Sequence, residues 1–123
     1  MMKKILTFIF CIFAFSAIAL EKKTNFNEEL FMKAQSEGKI VVVSSWIKYC
    51  TSCTSQMKAI NKLKEEFNNF EYYTFEVTNR EIADLLNVQY QTTLLVFKDN
   101  KELHRSIGVT NKDTIYKVIK SLI

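Results

Sequence analysis

Ile40-Val-Val-Val-Ser-Ser-Trp46-Ile-Lys-Tyr-Cys50-Thr-Ser-Cys53 is the stretch whose reading decides the fold. Ile40 to Ser45 reads as a continuous strand of the kind buried on both faces of a sheet. Trp46 follows it. A helix then opens at Cys50 or Thr51 and runs to about Phe67, with Met57, Ile60, Leu63 and Phe67 as its buried stripe. Lys58, Lys62, Lys64 and Glu65 are expected to face water. Two thiols therefore stand where a buried strand ends and a helix begins. The helix N-terminus carries partial positive charge and free N–H groups, both of which stabilise a thiolate. The pattern points to a thiol–disulfide redox centre.

Upstream, the chain of 123 residues is long enough for one domain. Its start is of a different kind. Met1-Met-Lys3-Lys4 is basic, and Ile5 to Leu20 is nearly all apolar, closing on Ser16-Ala17-Ile18-Ala19. This is the pattern of a secretory leader, residues 1–19, cut after Ala19. The apolar run is short of the roughly 20 residues that span a bilayer; if kept, it would serve as a membrane anchor. Cys11 falls inside this leader, and Phe8-Ile9-Phe10 before it is unlike a lipoprotein signal. The expected mature domain, 20–123, keeps only Cys50 and Cys53. An exported chain meets an oxidising compartment where stray thiols are a liability, so two cysteines kept in one motif are expected to act together. Of 17 Lys and Arg, losing Lys3 and Lys4 leaves 15 against 13 Asp and Glu. That balance offers nothing to nucleic acid as a partner.

Working outward, residues 20–24 are a polar start. Phe26, Leu30, Phe31 and Ala34 recur at helical spacing from Asn25 to Glu37, and Gly38 stops that helix. Downstream, Asn68-Asn69 ends the second helix. Glu71 to Val77 is a strand with Tyr73, Phe75 and Val77 on one face. Thr78-Asn79-Arg80-Glu81 has the form of a capping box, Thr78 at the cap, opening a short helix with Ile82, Leu85 and Leu86 inward. Thr93 to Lys98 is an apolar strand, Asp99-Asn100 a tight turn, and Lys101 to Ile107 an alternating strand with Leu103, Arg105 and Ile107 on one side. Gly108 breaks it. Thr110 to Asp113 caps a last helix striped by Ile115, Val118, Ile119 and Leu122. The first two strands, joined through a helix, should be parallel; the last two, joined by a turn, antiparallel.

This order, with Trp46-Ile-Lys-Tyr-Cys50-Thr-Ser-Cys53 and the later Gln91-Thr92-Thr93-Leu-Leu-Val-Phe97-Lys-Asp-Asn-Lys-Glu102, resembles the thioredoxin family over nearly all of residues 25–123. The resemblance implies an α/β thioredoxin-like fold: a central mixed sheet flanked by helices on both faces. It implies a thiol–disulfide oxidoreductase in which Cys50 is the exposed nucleophile and Cys53, one turn on, the buried resolving thiol. The thiols carry the electrons, so no bound cofactor is required. Expected partners are exported proteins with disulfides and a soluble or membrane-bound redox donor or acceptor, in a periplasmic or secreted setting. Thr51 and Ser52 are expected to tune the redox poise by donating hydrogen bonds to the Cys50 sulfur, with Trp46 either a wall beside the thiols or simply core. Gln91 and Thr92 are expected to line the substrate groove.

Three positions depart from the family pattern. The chain has no proline, and Thr92 stands where the family has a cis-proline. A cis bond before a non-proline residue costs about 2.5–4 kcal/mol, so Gln91–Thr92 either stores strain or is trans. The family's buried acid, which helps deprotonate the resolving thiol, aligns with Ser44. Thr51-Ser52 matches no dipeptide typical of the better-known branches, which leaves the redox direction open; family analogy favours reduction. Two rival readings stand beside the enzyme. One makes the thiols soft ligands for a metal such as Cu(I). Zinc wants four ligands, and the only other candidate, His104, lies on an expected edge strand as a surface residue. The other makes the domain a silent partner-binding module.

Overall fold

A computed structural model describes residues 24–122. Eight elements follow in the expected order: α1 (Glu28–Ser36), β1 (Ile40–Trp46), α2 (Thr51–Glu66), β2 (Phe70–Glu76), α3 (Arg80–Leu86), β3 (Thr93–Lys98), β4 (Lys101–Ile107) and α4 (Lys112–Leu122). The four strands form one mixed sheet in the order β2-β1-β3-β4. β1 runs parallel to β2, with Val43 opposite Tyr73, and antiparallel to β3, with Val43 opposite Leu95. β3 and β4 are antiparallel, as their short connection requires.

Alternation along β1 builds two cores. Val41 and Val43 point to one face, where Phe31 and Ala34 of α1 and Ile82, Ala83 and Leu86 of α3 cover them. Ile40 and Val42 point to the other, under Ala59, Ile60 and Leu63 of α2 and Ile115 and Ile119 of α4. Both sheet faces are thus covered, and β1, paired on both sides, is buried throughout. The expected stripe of α4 packs as read: Val118 and Leu122 lie against the same core.

Several local expectations are corrected. α1 begins after Asn27, whose side-chain oxygen accepts from the Leu30 N–H at 3.0 Å, rather than at Asn25. Asn25 and Phe26 are instead held to the edge of β2: both backbone N–H groups donate to the Thr74 carbonyl, and Asn25 Oδ1 accepts from the Thr74 N–H. Thr24 is tied down as well, its hydroxyl accepting from the Glu76 N–H at 2.9 Å. This places Phe26 in the core from outside the helix, while Leu30 is left exposed. α3 is capped by Asn79, not Thr78; the Asn79 side chain accepts from the Ile82 N–H. Its inward residues are Ile82, Ala83 and Leu86, and Leu85 is 48% exposed. Lys64 is half-buried: its ammonium donates to Asn68 Oδ1 and the Phe70 carbonyl, at the junction of α2 and β2. His104 is also half-buried on the edge strand β4, its Nε2 3.0 Å from the Ser106 hydroxyl, and burial pushes its pKa down. The leader and the expected cut after Ala19 lie outside the described residues. Among those described, no helix is long and apolar enough to cross a membrane.

Candidate active site

The carboxyl end of β1 and the amino end of α2 meet at the two thiols. Ile47 to Tyr49 link them, and Tyr49 takes a left-handed φ of 62° before Cys50. Tyr49 is 99% exposed and Lys48 is exposed beside it. Cys50 is the N-cap of α2: its Sγ accepts from the Cys53 backbone N–H at 3.2 Å. A sulfur rather than an oxygen thus fills the capping position, directly at the positive end of a helix whose first turn carries no acidic residue.

Cys50 and Cys53 are joined as a disulfide with their Cα atoms 5.3 Å apart. They differ in access. Cys50 is half-buried, whereas Cys53 has no exposed surface and packs with Trp46 and Met57. Trp46 is therefore both wall and core: it is buried against the sulfurs, and its Nε1 finds no hydrogen-bond partner among the described residues. Of the two intervening hydroxyls, Ser52 Oγ lies 3.4 Å from the Cys50 sulfur. Thr51 is exposed, so of the two expected tuning residues Ser52 is the one that lies within reach of the Cys50 sulfur.

Thr92, just ahead of β3, closes the site from the strand next to β1. No peptide bond among the described residues is cis, so Gln91–Thr92 is trans. Thr92 instead takes a left-handed φ of 59°. A β-branched residue there is strained by about 1–3 kcal/mol, and only surrounding bonds keep it in place. Those bonds are on hand. The Thr92 N–H donates to the Ser45 carbonyl at 2.9 Å, and its own carbonyl accepts from the Gly108 N–H at 2.9 Å and Gln56 Nε2 at 3.2 Å. The buried Thr92 hydroxyl sits 3.2 Å from the Cys53 sulfur, 3.6 Å from the Cys50 sulfur and 3.0 Å from Ser52 Oγ. Gln91, also expected in the groove, is exposed next to it.

Three supporting residues were not singled out from the sequence. Ser45 Oγ donates to the Tyr90 carbonyl at 2.8 Å and accepts from the Thr93 N–H at 3.0 Å, which pins the Thr92 loop to β1. Gln56, fully buried one turn beyond Cys53, bridges the Thr92 and Val109 carbonyls through Nε2. Tyr72, on β2, partners Ser44, the residue aligned with the family's acid. Its hydroxyl is hydrogen-bonded to Ser44 Oγ at 2.7 Å, and burial raises its pKa well above the usual tyrosine range, so this pair stays neutral. The readable signal was polarity out of phase: Gln56 interrupts an apolar helix stripe, and Ser44-Ser45 end an apolar strand. Among the described residues, no group of three or more His, Cys, Asp and Glu side chains stands together.

Comparison with known proteins agrees with this geometry. The Thioredoxin family profile matches residues 17–121. The H-type thioredoxin of Fagopyrum esculentum is 22% identical over 102 residues, covering 82% of this chain and 87% of that protein. The thioredoxin of Mycoplasma genitalium is 29% identical over 89 residues, 72% of this chain and 83% of its own. The X-ray structure of Fasciola hepatica thioredoxin superposes with a TM-score of 0.67 at 25% identity, covering 76% of this chain and 88% of that one. With a cysteine pair joined at the head of α2 and this match over most of its length, the chain belongs to the thioredoxin family and is a thiol–disulfide oxidoreductase.

Proposed function

We propose that this protein is exported and reduces disulfides in other exported proteins, with Cys50 as nucleophile and Cys53 as resolving thiol. The observation that carries the assignment is the unequal access of the two sulfurs: Cys50 is half-exposed at the helix cap, and Cys53 is wholly buried behind it. The reduced Cys50 thiolate, stabilised by the Cys53 N–H and the helix terminus, attacks one sulfur of a substrate disulfide. The other substrate sulfur departs as a thiolate and takes a proton. Cys53 then gives up its proton and attacks Cys50 Sγ. The substrate's second thiol leaves, and the Cys50–Cys53 disulfide remains. A redox donor restores the dithiol. Ser52 and Trp46 set the poise at the sulfurs, while Thr92 with the exposed Gln91 and Tyr49 forms the rim that a substrate chain meets.

Export is supported by the basic start Lys3-Lys4, the apolar run Ile5 to Leu20 and the small residues Ala17 and Ala19. Two measurements test the proposal. The first is the reduction potential of the Cys50–Cys53 couple: a reductase should lie near about −270 mV, and a value near about −120 mV would make the protein an oxidant. The second is the N-terminal residue of the chain recovered from a bacterial host. Leu20 is expected, and a cytoplasmic chain that keeps Met1 would overturn export. Stoichiometric bound metal without disulfide turnover would replace the enzyme by a metal-handling module.

A further inference from the structure

The geometry points to a proton relay: the Thr92 and Ser52 hydroxyls carry the proton of the resolving thiol, Cys53, out of the core. This inference rests on the dithiol mechanism proposed above. Ser44 stands where the family has its buried acid, and its hydroxyl is engaged with Tyr72. Around Cys53 pack Trp46 and Met57, with Cys50 against that cluster and the Thr92 hydroxyl in contact. The titratable groups at this end of the sheet are Cys50, Tyr72 and the partly exposed Glu76, which stands opposite Trp46 on β2; among the described residues no carboxylate or tyrosine hydrogen-bonds to the Cys53 sulfur. Cys50 is bonded to substrate at this stage, and Tyr72 is protonated. Among the described residues, the polar side chain that touches the buried Cys53 sulfur from outside the cysteine pair is the Thr92 hydroxyl, at 3.2 Å.

From Thr92 the path continues outward. Thr92 Oγ1 lies 3.0 Å from Ser52 Oγ, and Ser52 is exposed on the first turn of α2, 3.4 Å from the Cys50 sulfur. Each hydroxyl can accept one proton while releasing another, so neither becomes charged. The S–H bond of Cys53 breaks as Cys53 Sγ bonds to Cys50 Sγ. The bond from Cys50 Sγ to the substrate sulfur breaks, its electron pair leaving with the substrate. The Cys53 proton passes to Thr92 Oγ1, the Thr92 proton to Ser52 Oγ, and the Ser52 proton to water or to the departing thiolate. The left-handed backbone at Thr92, held by Ser45, Gly108 and Gln56, aims the hydroxyl at both sulfurs. A proline at this position would provide no such group.

The two thiol steps separate when the reduced protein meets a nitrobenzoate disulfide. Attack by Cys50 releases the first coloured thiolate, and resolution by Cys53 releases the second. With Thr92→Val, the second phase should slow about tenfold or more near pH 6.5. The gap to the parent should close at high pH, where hydroxide takes the proton directly. Thr92→Ser should restore most of the rate, and Ser52→Ala should reproduce the defect. Should Thr92→Val fail to fold, Ser52→Ala alone decides, since Ser52 is exposed. A second phase at the parent's rate, a deficit of equal size at every pH, or no rescue by serine would overturn the relay while leaving the oxidoreductase intact. Absence of the first phase in the parent protein would instead remove the dithiol mechanism itself.

Discussion

The two halves of β1 are equally buried and do different work. Ile40, Val41, Val42 and Val43 are apolar and fill both cores, two residues to each face. Ser44, Ser45 and Trp46 are just as deep, yet Ser44 holds Tyr72 and Ser45 holds the Thr92 loop. The apolar half contributes transfer free energy without direction. The polar half contributes little net energy, because its hydrogen bonds replace bonds to water, but each bond fixes a position. One strand therefore supports the fold at its amino end and aims the chemistry at its carboxyl end.

The division of labour is sharpest just beyond the polar end. Cys50→Ser should drop disulfide reduction to the uncatalysed background while the reduced protein unfolds at the parent's denaturant midpoint. An equal loss of stability would mean that the thiol is structural. Next comes the apolar half. Val42→Ala removes two methyl groups at a fully buried site and should cost about 2 kcal/mol in chemical denaturation. Turnover per folded molecule should hold, and a fall in turnover would erase the division of labour. Ser45→Ala should reverse the pattern. It should cost about 1–2 kcal/mol, because the Tyr90 carbonyl and Thr93 N–H lose a partner, and turnover should fall as the Thr92 hydroxyl drifts from the sulfurs.

The smallest effect is expected far from the thiols. Arg105 of β4 donates to the Leu86 and Asn87 carbonyls at the end of α3 and to both oxygens of Glu102. The Arg105 hydrogen bonds hold the Glu102 carboxyl below its usual pKa. A carboxylate with a depressed folded pKa adds stability above its unfolded value, about 4.3, and loses it as pH falls through the folded pKa. Both groups are about a third exposed, so the ion pair should add less than about 1 kcal/mol. The stability difference between the parent and Arg105→Ala should accordingly shrink between neutral pH and about pH 3 in urea titrations, with turnover unchanged at pH 7. A difference that stays constant with pH would assign the whole effect to the α3 carbonyls.

Much of this was legible in one dimension. Periodicity separated all eight elements, and the connections set parallel against antiparallel pairing. Trp46, Cys50 and Cys53 marked the site because a strand end, a helix start and a thiol pair coincide within a few residues. Helix phase was less legible. In the seven residues of α3, Ala83 and Leu85 fit an inward stripe almost equally well, and contact with the sheet chose Ala83. At α1, Phe26 fitted the helix pattern but was drawn into the core from an extended segment by bonds to Thr74.

By itself, then, the order of residues determined the strands, the helices and the place of the thiols, because hydrophobic period and end-capping act within a few residues of chain. Tertiary structure alone decided what stands over those thiols. Thr92 is 39 residues from Cys53, and its left-handed backbone and buried hydroxyl follow from bonds to Ser45, Gln56 and Gly108 that only the folded sheet brings within reach.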